Sequence, residues 1–226
     1  MKYNIILLAA VLFSLAGMQT YADEKLNQEI RELKWDDLKP RGLEFDDPFK
    51  KLSEDQLFNL GTVARYQQHQ NNKQKIPDSL KVEYQQALEI LKKEAVDIDG
   101  LFAKRAEVTE KRRLQAQTAN VDLNGKNIRM PGYLLPLEFK DKKVTEFLLV
   151  PWVGACIHTP PPPANQIVHV KLAKGFETDG GMYTPVWVNG VMKTENNNPE
   201  LSYIDGKKNI DVSYVMQADE VENYKK

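Results

Sequence analysis

The residues of this chain that could do chemistry are concentrated between Pro151 and Ala173. This stretch holds the only cysteine, Cys156, and two of the three histidines, His158 and His169. A thiolate sulfur and an imidazole nitrogen are ligands that suit zinc and copper(I). Cys156 and His158 are two positions apart, so in an extended segment their side chains leave the same face, about 6 to 7 Å apart along the strand. The pattern therefore suggests a site for zinc or copper.

A run of four prolines, Pro160 to Pro163, separates this pair from the third candidate ligand. Proline fixes φ near the polyproline value and has no backbone N–H, so the run predicts a stiff spacer without backbone donors. The chain is free to turn only at Ala164-Asn165. Residues 166–173 are then expected to return as a strand that carries His169.

Two ligands do not complete a tetrahedral metal site. If residues 166–173 pair with residues 150–158 as a hairpin, His169 approaches the same rim as the cysteine. A carboxylate from Glu138 or Glu146 is then a candidate for the fourth ligand. The predicted metal site therefore consists of Cys156, His158 and His169, with zinc or copper as the cofactor.

The first 22 residues have the pattern of a secretory signal peptide. Lys2 supplies the positive end, residues 5–15 form an apolar core too short to span a bilayer, and Thr20-Tyr21-Ala22 is a cleavage site. We therefore expect a soluble periplasmic protein, without membrane insertion in its mature form. Loss of Lys2 changes the formal net charge from -1 to -2, a balance that gives no reason to expect nucleic acid as a partner.

A single cysteine in an exported chain cannot form an internal disulfide. Cys156 is therefore buried, bound to a metal or exposed as a reactive thiol. Cysteine outside disulfides is among the most buried residue types. The alternative to metal binding is thus that Cys156 packs in the core while His158 bonds to the backbone at the proline turn.

A catalytic role for the pair has less support. Residues two apart on one strand are too far from each other for a direct hydrogen bond, and no third group that would orient the imidazole is evident. The sequence also has no Gly-rich phosphate loop, no Ser-centred elbow and no His-Glu-x-x-His helix. We therefore predict that the protein is not an enzyme.

A third interpretation is an interaction module that docks a membrane transporter or another periplasmic partner. Aromatic and proline side chains lose little conformational entropy when they are fixed in an interface. Such side chains cluster around the proline run, at Trp152, Tyr183 and Trp187. The residues that we predict to form the docking surface are Trp152, Pro160, Pro161, Pro162, Pro163, Asn165 and Gln166.

Residues 23–119 have a polar, helical pattern. Ser53 and Gln56 form a capping box that opens a helix running towards His69. A second helix is predicted over residues 78–95, where apolar residues recur on one face. A break at Asp97 to Gly100 precedes another helical segment over residues 104–117.

From Asn120 onward the apolar period changes from helical to two. Asn124-Gly125 and Asn189-Gly190 are both turn signals, the second within a predicted hairpin over residues 186–192. Five to six short strands with Gly and Pro at their bends are typical of a small closed barrel. We therefore predict an α+β protein in which a signal peptide (1–22) and a helical region (23–119) precede an OB-like β-barrel (120–226).

Several segments also resemble a known family of exported Gram-negative proteins of unknown function. The resemblance is carried above all by Gly154-Ala155-Cys156-Ile157-His158, the four prolines and Asn165-Gln166, and also by Arg129 to Tyr133 and Thr145 to Pro151. Members of that family are often encoded beside a MacB-type ABC transporter, in some bacteria within zinc-responsive loci. The resemblance implies a periplasmic accessory protein of a transport system, with a transporter permease as its partner and zinc homeostasis as its setting.

Overall fold

The computed structural model of the protein describes residues 29–178, 181–203 and 206–224. The predicted signal peptide, residues 1–22, lies outside the described residues. Within them, three α-helices are followed by a closed five-stranded β-barrel. The predicted α+β class with a small barrel is therefore confirmed. No helix in these ranges is long and apolar enough to span a bilayer.

The helices are α1 (Glu54–Asn71), α2 (Asp78–Lys93) and α3 (Ile98–Gln117). The predicted capping box opens α1. The backbone N–H of Gln56 donates to Ser53 Oγ over 3.1 Å, and the N–H of Ser53 donates to Gln56 Oε1 over 3.0 Å. The apolar faces of the helices form one small core, and the Tyr66 and Tyr84 rings stack with their centroids 3.9 Å apart. This core consists of Leu60, Val63, Ala87, Leu91 and Leu101.

The described residues divide into two compact units. One consists of Gly42–Gln115 and thus contains nearly all of the three helices. The other combines the residues up to Arg41 with those from Ala116 onward. The segment around Trp35 therefore belongs to the same unit as the barrel, although it precedes the helices in sequence.

The strands are defined by their hydrogen-bonded ladders. They are β1 (Arg31–Glu32), β2 (Asn127–Lys140), β3 (Lys143–Val150), β4 (Val168–Phe176), β5 (Thr184–Asn197), β6 (Glu200–Tyr203), β7 (Gly206–Asn209) and β8 (Val212–Asn223). The barrel has the order β2-β3-β4-β8-β5, and a further pairing between β2 and β5 closes it. Strands β4 and β8 are parallel, and the other barrel pairs are antiparallel. This connectivity is that of an OB-like barrel, with the β6–β7 hairpin inserted before its last strand.

Strand β2 pairs with two other strands of the barrel. Its residues Asn127–Leu134 pair with β5, and its residues Tyr133–Lys140 pair with β3. The change of partner follows Pro131-Gly132 directly. One long strand therefore joins both sides of the closed barrel.

Tyr214 is the largest side chain that is fully buried in the barrel core. Its hydroxyl donates to the Leu38 carbonyl over 2.6 Å and accepts the Asn120 backbone N–H over 2.5 Å. A buried tyrosine hydroxyl needs such partners, because an unpaired polar group in the core is costly. Tyr214 therefore ties two distant chain segments to the barrel.

The hairpin predicted over residues 186–192 is wrong. Strand β5 runs through Asn189-Gly190 without turning, and the pairing with β8 shifts register there as in a β-bulge. A Cβ atom at Gly190 would lie 2.4 Å from the Gln217 carbonyl oxygen. Glycine at this position therefore permits a close approach of β8 and does not form a turn.

Candidate functional site

Residues 151–163, here called the proline loop, leave the end of β3 as a series of turns. The Gly154 carbonyl accepts the backbone N–H groups of Ile157, His158 and Thr159 over 3.3, 2.9 and 3.1 Å. Gly154 and Cys156 have positive φ angles of 88° and 68°. The chain thus coils around one carbonyl oxygen. The prediction of an extended segment that displays Cys156 and His158 on one face is wrong.

Cys156 is 5% exposed, and its side chain belongs to an apolar cluster. Burial raises the pKa of its thiol to about 11, although the charge of Lys208 acts in the opposite direction. The thiol is therefore protonated at neutral pH, whereas the thiolate is the form that binds metals and attacks electrophiles. Its neighbours in the cluster include Leu135, Val150, Ala155, Ile167 and Leu201.

His158 is exposed, two residues further along the proline loop. Together with Cys156 it lines an open cleft of about 550 Å³, which we call the loop–hairpin cleft. Residues Cys156 to Pro161 form one wall, and Gly206, Lys207 and Lys208 of β7 form the other. The cleft therefore combines a largely buried thiol, an exposed imidazole and two lysines.

His169 occupies a different environment in β4. It is 3% exposed, and its Nδ1 accepts the Asn197 amide over 3.0 Å while its Nε2 donates to Glu146 Oε2 over 3.0 Å. Lys171 Nζ lies 3.6 Å from the other oxygen of Glu146. Burial lowers the pKa of His169, and the charge of Glu146 opposes that effect only in part. Both ring nitrogens are therefore occupied within the barrel wall.

The structure does not bring the three predicted metal ligands together. Among residues 29–178, 181–203 and 206–224, no group of three or more His, Cys, Asp or Glu side chains could hold a metal ion. Cys156 and His158 share the loop–hairpin cleft, but His169 is bonded to Glu146 and Asn197. Glu146, one of the two carboxylates considered as a fourth ligand, is thus itself committed to the histidine.

The proline loop presents several apolar side chains at its surface. Trp152 is 44% exposed and Val153 is 60% exposed. Pro160, Pro161 and Pro163 are exposed, whereas Pro162 is buried. The predicted docking residues of the proline loop itself are therefore on the surface, apart from Pro162.

Tyr183, which was expected at the same rim, is buried. Its hydroxyl donates to the Ala155 carbonyl over 2.7 Å. Trp152 Nε1 donates to Thr159 Oγ1 over 3.4 Å across the proline loop. These bonds hold the coiled part of the proline loop from beneath and across its width.

The two amides that follow the prolines are buried rather than displayed. Asn165 Nδ2 donates to the Thr118 carbonyl over 2.8 Å, and Gln166 Nε2 donates to the Trp35 carbonyl over 3.1 Å. Asn165 is 2% exposed and Gln166 is 9% exposed. Both residues join backbone segments within the barrel unit, although the sequence placed them in the docking surface.

The second wall of the loop–hairpin cleft is not among the residues that the sequence predicts for the site. It comes from the β6–β7 hairpin, in which Tyr203 pairs with Gly206. The signal that could have indicated a turn near this point is the Asp-Gly dipeptide at 205–206 of the sequence. Its place opposite the proline loop depends on the barrel topology and has no sequence signal.

Comparison with known proteins places the chain among proteins whose function is not established. A family model described as "Protein of unknown function (DUF3299)" matches residues 35–223. The chain is also similar to a DUF3299 family protein from Pseudomonas aeruginosa PAO1 whose crystal structure is known. The two sequences are 31% identical, and the match covers 88% of this chain and 98% of the other, with a TM-score of 0.46. No curated protein matches the chain.

Proposed function

This chain belongs to the DUF3299 family of proteins of unknown function, and on that premise we propose that it is an exported accessory protein of a transport system that docks a partner through the proline loop. One observation carries the proposal. The apolar side chains of Trp152 and Val153, together with exposed prolines, stand on a loop whose base is bonded to the barrel. An interface anchor needs this combination of apolar surface and restricted motion.

The proline loop is preorganised for binding. Binding costs free energy when mobile side chains and loops must be ordered, so a partner gains most from groups that are already fixed. The Gly154 carbonyl accepts three N–H groups, the Tyr183 hydroxyl fixes Ala155, and proline has little freedom to lose. Tryptophan is also enriched among the residues that dominate binding energies.

The compartment and the partner are proposed from the sequence. Residues 1–22 have the pattern of a signal peptide, which directs the protein to the periplasm. The family resemblance indicates a MacB-type ABC transporter permease as the partner. Cell fractionation and N-terminal sequencing test this compartment: the mature chain is expected in the periplasmic fraction and should begin at Asp23. A protein that keeps Met1 in the cytoplasm would contradict export.

Docking is tested by co-purification of the mature chain with the proposed partner, the MacB-type transporter permease. We expect Trp152→Ala combined with Val153→Ser to abolish recovery of the permease. Phe139→Ala is the matched control, because Phe139 is 61% exposed on β2 and lies outside the proline loop. Recovery that is equal for the wild type and the Trp152 variant would overturn docking through this loop.

Binding of zinc or copper is the alternative, and one observation favours it: Cys156 and His158 line the same cleft. In that case the metal would have two protein ligands and would have to displace the proton of a buried thiol. Elemental analysis of the purified mature chain tests this alternative. Stoichiometric zinc or copper in the wild type, lost in Cys156→Ser combined with His158→Ala, would replace docking by metal binding as the primary role.

A further inference from the structure

A second apolar surface of the barrel unit lies outside the loop–hairpin cleft. It is an open pocket of about 290 Å³, here called the aromatic pocket. Three aromatic rings and three prolines dominate its lining, and no charged side chain contributes to it. These residues are Trp35, Pro131, Tyr133, Pro151, Pro185 and Tyr224.

The sequence builds the aromatic pocket by close packing of Trp35 on β2. A Cβ atom at Gly132 would lie 2.9 Å from Trp35 Cζ2 and 2.7 Å from Leu149 Cγ. Any other residue at 132 would therefore push the indole ring away from the strand. Glycine here lets an aromatic ring lie against the backbone and form one side of the pocket.

The Tyr224 side of the aromatic pocket is supported by a stack. The Trp187 and Tyr224 rings are nearly parallel, with centroids 5.7 Å apart and an interplanar angle of 17°. Arg129 Cζ lies 4.6 Å from the centroid of Trp187, and its guanidinium pairs with Glu222 over 3.3 Å. Tyr224 is therefore held in place although 43% of it is exposed.

Aromatic grooves of this kind suit a polyproline II segment, and the proline loop contains one. Pro160, Pro161 and Pro162 each precede a proline, which restricts them to the β or polyproline region, and Pro163 has φ -50° and ψ 146°. A polyproline helix has three residues per turn, so Pro160 and Pro163 lie on the same edge. Both are exposed, whereas Pro162 is buried. We call Pro160 and Pro163 the proline edge.

We propose that the aromatic pocket binds the proline edge of a second copy of this chain. Polyproline segments dock in aromatic-lined grooves because the ligand is already extended and loses little entropy on binding. Neither the pocket lining nor the proline run carries a charge that would have to be desolvated. The aromatic pocket and the proline edge are thus both apolar, and the proline edge is already extended before it binds.

The position of Pro151 favours a reciprocal contact. This residue lines the aromatic pocket and is also the first residue of the proline loop, so the pocket adjoins the start of that loop. In a two-fold dimer each copy presents the same patch to the other, and each therefore gives a proline edge and receives one. Self-association then competes with the transporter for the prolines, but it does not depend on the proposed function.

The first experiment uses a peptide with the sequence of residues 158–166, which contains no tryptophan. Titration into the mature chain is expected to change the tryptophan fluorescence saturably. A peptide with Pro160→Ala and Pro163→Ala should bind about tenfold more weakly, as expected when anchor contacts of a binding hot spot are lost. Tyr224→Ala should weaken binding of the natural peptide similarly, whereas Phe139→Ala should not. Equal binding of both peptides, or no saturable signal, overturns the inference.

The second experiment measures self-association of the full mature chain by sedimentation equilibrium. Tyr224→Ala keeps an intact proline edge, and the double variant Pro160→Ala, Pro163→Ala keeps an intact pocket. Each variant alone should be largely monomeric, whereas their mixture should regain part of the association because one productive contact becomes possible. Melting temperatures verify that both variants are folded.

The outcomes separate this inference from the proposed function. Loss of self-association in Tyr224→Ala with unchanged or increased recovery of the permease supports a pocket that serves the second copy. A wild-type chain that binds the peptide but stays monomeric over the whole concentration range overturns the second copy as occupant and assigns the pocket to a proline-rich segment of another protein. Trp152→Ala affects only the transporter interaction if both proposals hold.

Discussion

The proline loop and the three residues that follow it are adjacent in sequence but serve opposite purposes. Residues 151–163 expose Trp152, Val153 and most of the prolines. Residues 164–166 form a 3-10 turn in which Asn165 and Gln166 are buried. We refer to Asn120, Asn165, Gln166 and Tyr214 as the buried anchor, because each bonds to the main chain of a distant segment. The proline loop is thus exposed, whereas the residues directly after it fix the chain to the barrel through buried hydrogen bonds.

The four anchor residues also explain how the segment before the helices joins the barrel. Gln166 donates to the Trp35 carbonyl, Tyr214 to the Leu38 carbonyl, and Asn120 Nδ2 to the Asp37 carbonyl over 3.0 Å. The Trp35, Asp37 and Leu38 carbonyls that accept these bonds belong to residues that are partly or fully buried. A buried hydrogen bond contributes little net free energy when formed, but leaving its partner unpaired is costly. Changes in the anchor should therefore affect stability, and changes in the proline loop should affect recognition.

The largest effect is expected for Tyr214→Phe. Loss of the hydroxyl leaves the Asn120 N–H and the Leu38 carbonyl without their shared partner, which we expect to lower the free energy of unfolding by about 2 to 4 kcal/mol. Urea denaturation followed by circular dichroism measures this change. Tyr224→Phe is the control, since Tyr224 is 43% exposed and the loss of its hydroxyl should be nearly neutral. If Tyr214→Phe lowers the free energy of unfolding no more than the control does, the hydrogen bonds of the Tyr214 hydroxyl do not stabilise the fold.

A smaller loss is expected for Asn165→Ala. The Thr118 carbonyl loses its amide donor, which should lower the free energy of unfolding by about 1 to 2 kcal/mol. The same urea denaturation applies, with Asn72→Ala at the exposed end of α1 as the control. If both alanine variants unfold at the same urea concentration, Asn165 does not anchor the proline loop.

The pH dependence of stability should reveal His169. Its folded pKa is lowered, so between that value and about 6.5, the ordinary histidine pKa, the unfolded chain binds a proton that the folded chain does not. Its contribution to stability is therefore complete above pH 6.5 and decreases as the pH falls. The charged groups that act on His169 are Glu146, Lys171 and Glu138.

Denaturant unfolding between pH 7.5 and 5.5, in wild type and His169→Gln, measures this contribution. The wild type should lose more stability on acidification, because glutamine does not titrate. Parallel curves for the two proteins would show that His169 is not protonated more easily in the unfolded chain.

The smallest effect on stability is expected in the proline loop itself. Trp152→Ala and Val153→Ser remove side chains that are 44% and 60% exposed, and the first also removes the bond to Thr159, so the free energy of unfolding should fall by no more than about 1 kcal/mol. Recovery of the partner should nevertheless be lost. A marked drop in the melting temperature of these variants would contradict this division of roles, because it would show that the proline loop also stabilises the fold.

The parts of the fold that local sequence determines were predicted well. The Ser53 capping box, the turn at Asn124-Gly125 and the change from helical to strand period follow from the residues themselves. Asn189-Gly190 has the same dipeptide as Asn124-Gly125 but lies inside β5. The difference is tertiary, since β8 approaches Gly190 too closely for any side chain. A local signal cannot reveal a neighbour that arrives from elsewhere in the chain.

The candidate site was predicted less completely, for a related reason. Cys156 and His158 do share a cleft, but they reach it from turns organised by the Gly154 carbonyl rather than from one strand. His169 was assigned to the same rim because it lies on the returning strand. Its bonds to Glu146 and Asn197 depend on the pairing of β3 with β4 and on the end of β5. These contacts have no signature in the spacing of the residues.

Strand β2, which pairs with β5 along one half and with β3 along the other, has a consequence for the rate of folding. The ladder with β5 cannot form until the chain between the two strands has been drawn together, and the entropy of that closure must be met before the contacts can compensate for it. Proteins dominated by such non-local pairings fold on the order of milliseconds to seconds. We therefore expect the barrel to close late and all at once, in a slow, highly cooperative phase.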